Sequence, residues 1–269
     1  MSPKRPRTKL ALAATALLAL PAAPAAAATP IAATSSNWAG YAVARKSTRF
    51  RHAGGSWVQP AVSCDTGRAY SAYWVGLGGY RTTSTALEQI GTAADCDSTG
   101  IAHYTAWYEL VPAAAVTLKL NVRAGDRIAA SVAVSGHRVR LHLADRTTGA
   151  AVTRTLRAAT VDTTSAEWIA EAPSLCDVRG FCATQPLADF GTARFTAARA
   201  TTTGGHTGAI VDPAWSAIAI SLDGMPDGDP RFASDMPSAD GATPGALSST
   251  GDAFSISFAA SSPAPGQVA

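Results

Sequence analysis

The chain is poor in the groups that most enzymes use for nucleophilic or metal chemistry. Of its 269 residues only four are cysteine and five histidine, and charged residues make up 15% of the total. The histidines at 52, 103, 137, 142 and 206 show no ligand-like grouping, and the cysteines at 64, 96, 176 and 182 do not match a paired CxxC zinc site, so neither a metal nor any other cofactor is expected. There is no GxSxG elbow, HExxH helix or phosphate-binding glycine loop, and histidine placement supports no serine or cysteine triad. An aspartic-peptidase arrangement would need two equivalent Asp-bearing loops, and no such duplication occurs. Long apolar runs are also missing after the first 20 residues, which leaves no later membrane span.

The start of the chain carries a different signal. Lys4, Arg5, Arg7 and Lys9 precede an apolar run at 10–20 and a small, Ala-rich stretch at 21–28 with a cleavage site expected near 26–28. This is the pattern of a secretory signal peptide, and the run is shorter than the roughly 20 residues a spanning helix needs. Four of the 22 Lys+Arg lie in this segment and none of the 19 acids do, leaving 18 against 19 in the remainder. The overall basic balance therefore supports no nucleic-acid partner, and no Lys/Arg cluster with interleaved aromatics follows. The expected product is a secreted, extracellular monomer without stable membrane association. In that setting an even cysteine set suggests two disulfides; Cys64 with Cys96 and Cys176 with Cys182 is one of three possible pairings.

What is abundant is short alternating segments. Runs at 37–44, 55–62, 70–77, 85–90, 103–110, 115–122, 127–135, 139–145 and 152–156 are separated by Gly, Asp, Ser and Thr turns. In Val116-Thr117-Leu118-Lys119-Leu120 and Val139-Arg140-Leu141-His142-Leu143 the apolar members share one face. His142 then belongs to a solvated strand face. Further strands are expected at 166–171, 188–195, 214–222 and 253–258, with a Gly/Pro/Asp-rich connection at about 223–248 long enough to act as a binding loop. The fold class is all-β, a sandwich of two packed antiparallel sheets, forming one catalytic domain over 35–259 after a leader at 29–34 and before a tail at 260–269.

Two acids sit oddly in this pattern. In Ala166-Glu167-Trp168-Ile169-Ala170-Glu171, Glu167 and Glu171 share a face with Ile169 while Trp168 points the other way. A repeated acid on such a face suits the floor of a polar cleft. Six tryptophans, at 38, 57, 74, 107, 168 and 215, are expected mainly in packing, with some lining a groove for an extended polymer. On residue types alone a secreted β-sandwich glycoside hydrolase or carbohydrate-binding module competes with a peptidase.

The blocks SSNWAGYAV at 35–43, YWVGLGG at 73–79, LEQIG at 87–91, YTAWYELVP at 104–112, AEWIAE at 166–171 and LADFGTARF at 187–195 together resemble the glutamic peptidases, family G1 or eqolisins, as a bacterial-like secreted member. The resemblance implies an endopeptidase cutting proteins or peptides at acidic pH with a Gln/Glu dyad on a concave β-sandwich surface. It puts the catalytic glutamine on Gln89 and the catalytic glutamate on Glu171, with Trp38, Trp74 and Glu109 around them and Glu167 as neighbour or rival. Glu88, the LVP at 110–112 and the close Cys176, Cys182 pair depart from the family pattern and bear on specificity, pH range and disulfide layout.

Overall fold

A computed structural model describes residues 29–65, 67–176, 182–223 and 240–260. The expected signal peptide at 1–28, most of the connection expected at 223–248 and nearly all of the tail lie outside them. The described strands run in order β1 (Ile31–Ser35), β2 (Trp38–Ala44), β3 (Phe50–Val58), β4 (Ala69–Gly78), β5 (Leu87–Cys96), β6 (Ala102–Val111), β7 (Val116–Leu118), β8 (Arg127–Ser135), β9 (Arg138–Asp145) and β10 (Ala151–Arg157). They continue with β11 (Ser165–Glu171), β12 (Ser174–Cys176), β13 (Cys182–Thr184), β14 (Thr192–Thr202), β15 (Thr207–Ala209), β16 (Ser216–Leu222), β17 (Gly241–Pro244) and β18 (Phe254–Ala259). Hydrogen bonding links them as β10-β9-β8-β3-β14-β18-β17-β16-β2-β11-β4-β5-β6-β7. This long ladder doubles back on itself: β3 and β8 pack across the interior against β4 and β5, and β14 against β11. The result is the expected all-β sandwich of two antiparallel layers, with β16 to β7 in a first layer, β18 to β10 in a second, and β17 at the turn.

Alternation explains the core. On β9 Val139, Leu141 and Leu143 are fully buried while Arg138 and Arg140 are exposed, and on β8 Ile128, Ala130, Val132 and Val134 face the same interior. Trp57 and Trp168 join the layers: the Trp168 indole donates to the Gly54 carbonyl at 2.9 Å, and the Trp57 indole to Thr92 Oγ1 at 3.0 Å. Gly55 is required here, because a Cβ at that position would sit 2.8 Å from Trp168 Cδ1. Each such large apolar side chain removed from water stabilises the fold by roughly 1.5–3 kcal/mol.

Several element bounds differ from the periodicity reading. The strand expected at 55–62 starts at Phe50 and stops at Val58, since Pro60 has no N–H to continue a ladder. The strand expected at 85–90 extends to Cys96 along a run of small residues. The strand expected at 188–195 begins only at Thr192; the residues before it form isolated bridges, Tyr70 with Leu187 and Ser63 with Asp189. Ile31–Ser35, all but its last residue in the stretch 29–34 read as leader, runs as a strand parallel to β16, pairing Ile31 with Ile218 through Ser35 with Leu222.

The disulfide Cys64–Cys96 closes the end of β5 onto the loop before β4. Cys176 and Cys182 are opposed in register across the β12–β13 pair; the expected bond between their side chains lies outside what is described. Among the described residues no helix is long and apolar enough to cross a membrane.

Candidate active site

Register places the chemistry. In a sheet, residues directly opposite one another present their side chains to the same face. Glu171 on β11 faces Trp38 on β2 and Ala72 on β4, and Ile169 faces Trp74. Glu167 faces Gly76, which faces Gln89 on β5, which faces Glu109 on β6. All six candidates, Trp38, Trp74, Gln89, Glu109, Glu167 and Glu171, therefore lie on the outer face of the first layer. Trp168, Ile90 and Glu88 point through the sheet to the interior, as alternation demands.

Glu171 is the best-supported carboxylate on that face. It ends β11 and is partly exposed, whereas the rest of the strand is buried. Its Oε2 accepts from the Trp74 indole N–H at 2.7 Å and its Oε1 from the Asn37 amide at 3.0 Å. Trp38 packs edge-on against Trp74 with ring centroids 4.9 Å apart, which locks the indole that holds the acid. Gly91, opposite Trp74, leaves room for this: a Cβ there would lie 2.7 Å from the Trp74 Cβ and run into the Tyr73 carbonyl. Burial pushes the Glu171 carboxyl up to about 7 against the opposing effect of its Trp74, Trp38 and Asn37 donors, and the charge of Glu109 pushes it the same way.

Gln89 and Glu109 form the second half. Gln89 is 3% exposed, and its Nε2 donates to Glu109 Oε2 at 2.6 Å. Its carbonyl oxygen Oε1 is buried with no partner among the described residues. A buried acceptor without a donor is costly, and a water or substrate N–H seated against it would remove the cost. Burial raises the Glu109 carboxyl, and the Gln89 amide opposes that shift. Gln89 and Glu171 are not bonded to each other: Gln89 stands in the row of Glu167, and Glu109, which accepts from Gln89, acts on Glu171 through its charge.

Glu167 and Glu88 are of another kind. Glu167 is 0% exposed, and among the described residues neither carboxyl oxygen has a well-formed hydrogen bond. Burial raises its carboxyl well above the usual range against the opposing effect of Ser165, and the charges of Asp162 and Glu88 add to the rise. A side chain sealed this way cannot face a sugar across a subsite, so the Glu167–Glu171 pair does not make a glycosidase dyad. Glu88, on the interior face, is likewise fully buried and pushed up to about 8 by burial. Nearby Asp162 is instead held down, its burial outweighed by hydrogen bonds from Ser84, Thr164 and the Gly79 N–H.

The alternating pattern could not single out Asn37, although it stands in the NWAG block beside Trp38. Its backbone is set by Ser35, whose Oγ accepts from the Asn37 and Trp38 N–H groups and donates to Asn37 Oδ1 at 3.2 Å. Ser35, Asn37, Trp38, Gly79, Tyr80 and Ile220 line a cleft of about 300 Å³ that opens beside the Glu171 donors. Among the described residues no cluster of His, Cys, Asp and Glu could hold a metal ion.

A family model described as the Peptidase A4 family matches residues 36–222. No curated protein matches the chain at a significant level. Solved structures do: scytalido-glutamic peptidase with a transition state analog inhibitor is 24% identical, covering 83% of this chain and 98% of that one at a TM-score of 0.66. SCP-B, a member of the eqolisin family in complex with the tripeptide Ala-Ile-His, is 22% identical over 84% of this chain and 98% of its own, with a TM-score of 0.54. Aspergilloglutamic peptidase from Aspergillus niger is 28% identical over 71% of this chain and 99% of its own, with a TM-score of 0.51. With 187 consecutive residues matched to the family model and the sandwich shared with these enzymes, the chain belongs to the Peptidase A4 family, the glutamic peptidases or eqolisins.

Proposed function

We propose that the protein is a secreted glutamic endopeptidase that hydrolyses peptide bonds in proteins at acidic pH, with Glu171 and Gln89 as its working pair. The observation that carries this reading is the environment of Glu171: a partly exposed carboxyl whose two oxygens are each held by a nitrogen donor, on the same face as a buried glutamine with a free carbonyl oxygen. As a carboxylate, Glu171 takes a proton from the water that attacks the scissile carbonyl; as the acid, it returns a proton to the departing nitrogen. Both steps conserve protons, since the water supplies hydroxide to carbon and hydrogen to nitrogen. The raised pKa favours the proton-donating half in acidic medium, while the donors from Asn37 and Trp74 keep the ionised form within reach. Gln89 orients the water through Oε1 and offers its amide N–H groups to the developing oxyanion, which requires the Glu109 contact to be shared or exchanged on binding. Trp38 and Trp74 brace the site.

The test is cleavage of a denatured protein substrate from pH 2 to 8 by the secreted chain. The reading expects turnover on the acid side, lost in Glu171→Gln with the fold intact. Absence of cleavage throughout, or cleavage confined above neutrality, overturns it.

A further inference from the structure

The second layer carries a cationic groove on its outer face, on the opposite side of the sandwich from Glu171. Between Lys119 and Arg157 the sequence holds eight Lys/Arg against only Asp126 and Asp145. Both acids are engaged in their own turns, Asp126 by the Arg123 N–H and Asp145 by Thr147 and Thr148. Folding then gathers the arginines. Thr201, His52, Ala133, Arg140 and Thr155 form one cross-strand row over β14, β3, β8, β9 and β10, and Ser135, Arg138 and Arg157 form the next. Small residues make the floor, and Arg138 and Arg140 on one side oppose Arg51 and His52 on the other around a cavity of about 670 Å³.

Three features mark this groove as unfinished without an anion. Arg138 and Arg157 stand directly opposite each other on neighbouring strands, an arrangement that costs stability for like charges. Among the described residues the ion pairs are His103–Asp97, Arg199–Asp252 and His206–Asp212, so no carboxylate neutralises Arg51, Arg138, Arg140 or Arg157. The potential also reaches the imidazoles on this face: His52 is lowered by burial and by Arg51, and His142 by burial, Arg140 and Arg146.

We propose that this groove binds a phosphate-bearing polymer that lacks bases, holding the protein on it while the opposite face stays free. Guanidinium forks match tetrahedral oxyanions, and Ser135, Thr155 and Thr201 supply hydroxyl donors. Phosphodiesters keep their charge in acid, where carboxylate polymers lose theirs. The groove lining contains no Trp, Tyr or Phe, the platforms on which single-stranded nucleic acids stack. The preference for phosphate over carboxylate rests on the acidic medium of the proposed peptidase, whereas the polyphosphate titration reads binding alone and is independent of peptide cleavage.

Inorganic polyphosphate is the probe, titrated into the folded chain at 50 and 200 mM salt. Binding is expected at the lower salt, weakening at least about tenfold at the higher. Arg138→Gln/Arg140→Gln and Arg138→Glu/Arg140→Glu, both at exposed positions, should bind at least about tenfold more weakly with a shallower salt slope. Polyphosphate should also raise the Tm of the unaltered chain and not that of the double variants. No binding at 50 mM salt, unchanged affinity in the double variants, or tighter binding of a single-stranded DNA oligomer or of dextran sulfate overturns the proposal.

Discussion

Glu167 and Glu171 share a strand, a face and a residue type, and lie between the same two strands, β2 and β4, yet they have opposite environments. Glu171 sits where β11 ends, so its carboxyl reaches the surface and meets two nitrogen donors brought by β2 and β4. Glu167 lies within the strand, where Gly76 and Ala42 flank it in the ladder and, among the described residues, neither oxygen has a well-formed hydrogen bond. A carboxyl with donors can ionise and cycle a proton; one without them stays neutral and inert. The difference of four residues along one strand is therefore a difference in chemistry.

The sharpest way to break this comparison is to swap the acids for amides one at a time. Glu171→Gln keeps the shape but gives up one of the two acceptors that meet Asn37 and Trp74 and cannot exchange protons, so kcat on a casein-like substrate should fall about 10²–10⁴-fold, with the fold retained. Glu167→Gln should leave kcat within about threefold, well below the loss expected of a group that transfers protons. Equal losses in the two variants, with folding verified by circular dichroism, would erase the distinction.

The two-sheet architecture was legible because its signals are local: alternation on β8 and β9, and short turns rich in Gly, Asp and Thr around them. Strand ends were less legible where they depend on tertiary pairing, as at Ile31–Ser35, which has no alternating pattern and is ordered by lying beside β16. Of the candidate site, Glu167 and Glu171 were legible through strand alternation, and Gln89, Glu109, Trp38 and Trp74 only through block resemblance. That Asn37 donates to Glu171, and that Gln89 stands in the row of Glu167 and opposite Glu109, depend on register across β2, β11, β4, β5 and β6, which no single segment encodes. The arginine groove is the same lesson on the other layer, since its members come from β3 and from the β8–β9 hairpin.

Gln89 tests the comparison from the partner's side. If Gln89 serves Glu171 and not the nearer row-mate Glu167, Gln89→Ala should lower kcat about 10²–10³-fold, the loss typical of one oxyanion donor. The same substitution frees Glu109 from its 2.6 Å amide contact, so the Glu109 carboxyl, already raised by burial, should rise further. A pH profile that is unchanged in shape and amplitude would remove Gln89 from the machinery.

Trp74→Phe weakens what distinguishes Glu171, by deleting the 2.7 Å donor to its Oε2 while keeping most of the ring. A hydrogen bond to a charged group contributes about 1.5–3 kcal/mol, so the carboxyl should move above its value of about 7 by roughly one to two units at 1.36 kcal/mol each. The limb of the pH profile that reports Glu171 should shift upward by that amount. A loss of kcat without any shift would mean that Trp74 acts by packing alone.

The smallest effect on turnover, and the clearest on stability, is expected from the acids that lack donors. Glu88 and Glu167 have folded-state pKa values raised above the unfolded value by burial, so the folded chain holds their protons more tightly than the unfolded one. Their neutral forms are accommodated fully below about pH 4.3, the ordinary glutamate value, and stability falls as pH rises from there through the Glu88 value of about 8. Below that window the opposite group appears: Asp162, held down by its hydrogen bonds, contributes stability that is lost as pH drops through its lowered pKa. The chain should thus be most stable in mildly acidic medium and lose Tm toward pH 8, at roughly 2–4 °C per kcal/mol for a domain of this size. Glu88→Gln and Glu167→Gln should each flatten that decline, raising the Tm at pH 8 more than at pH 4. Parallel Tm profiles in wild type and variants would show that these two carboxyls ionise at no cost, and that what separates them from Glu171 is position and not environment.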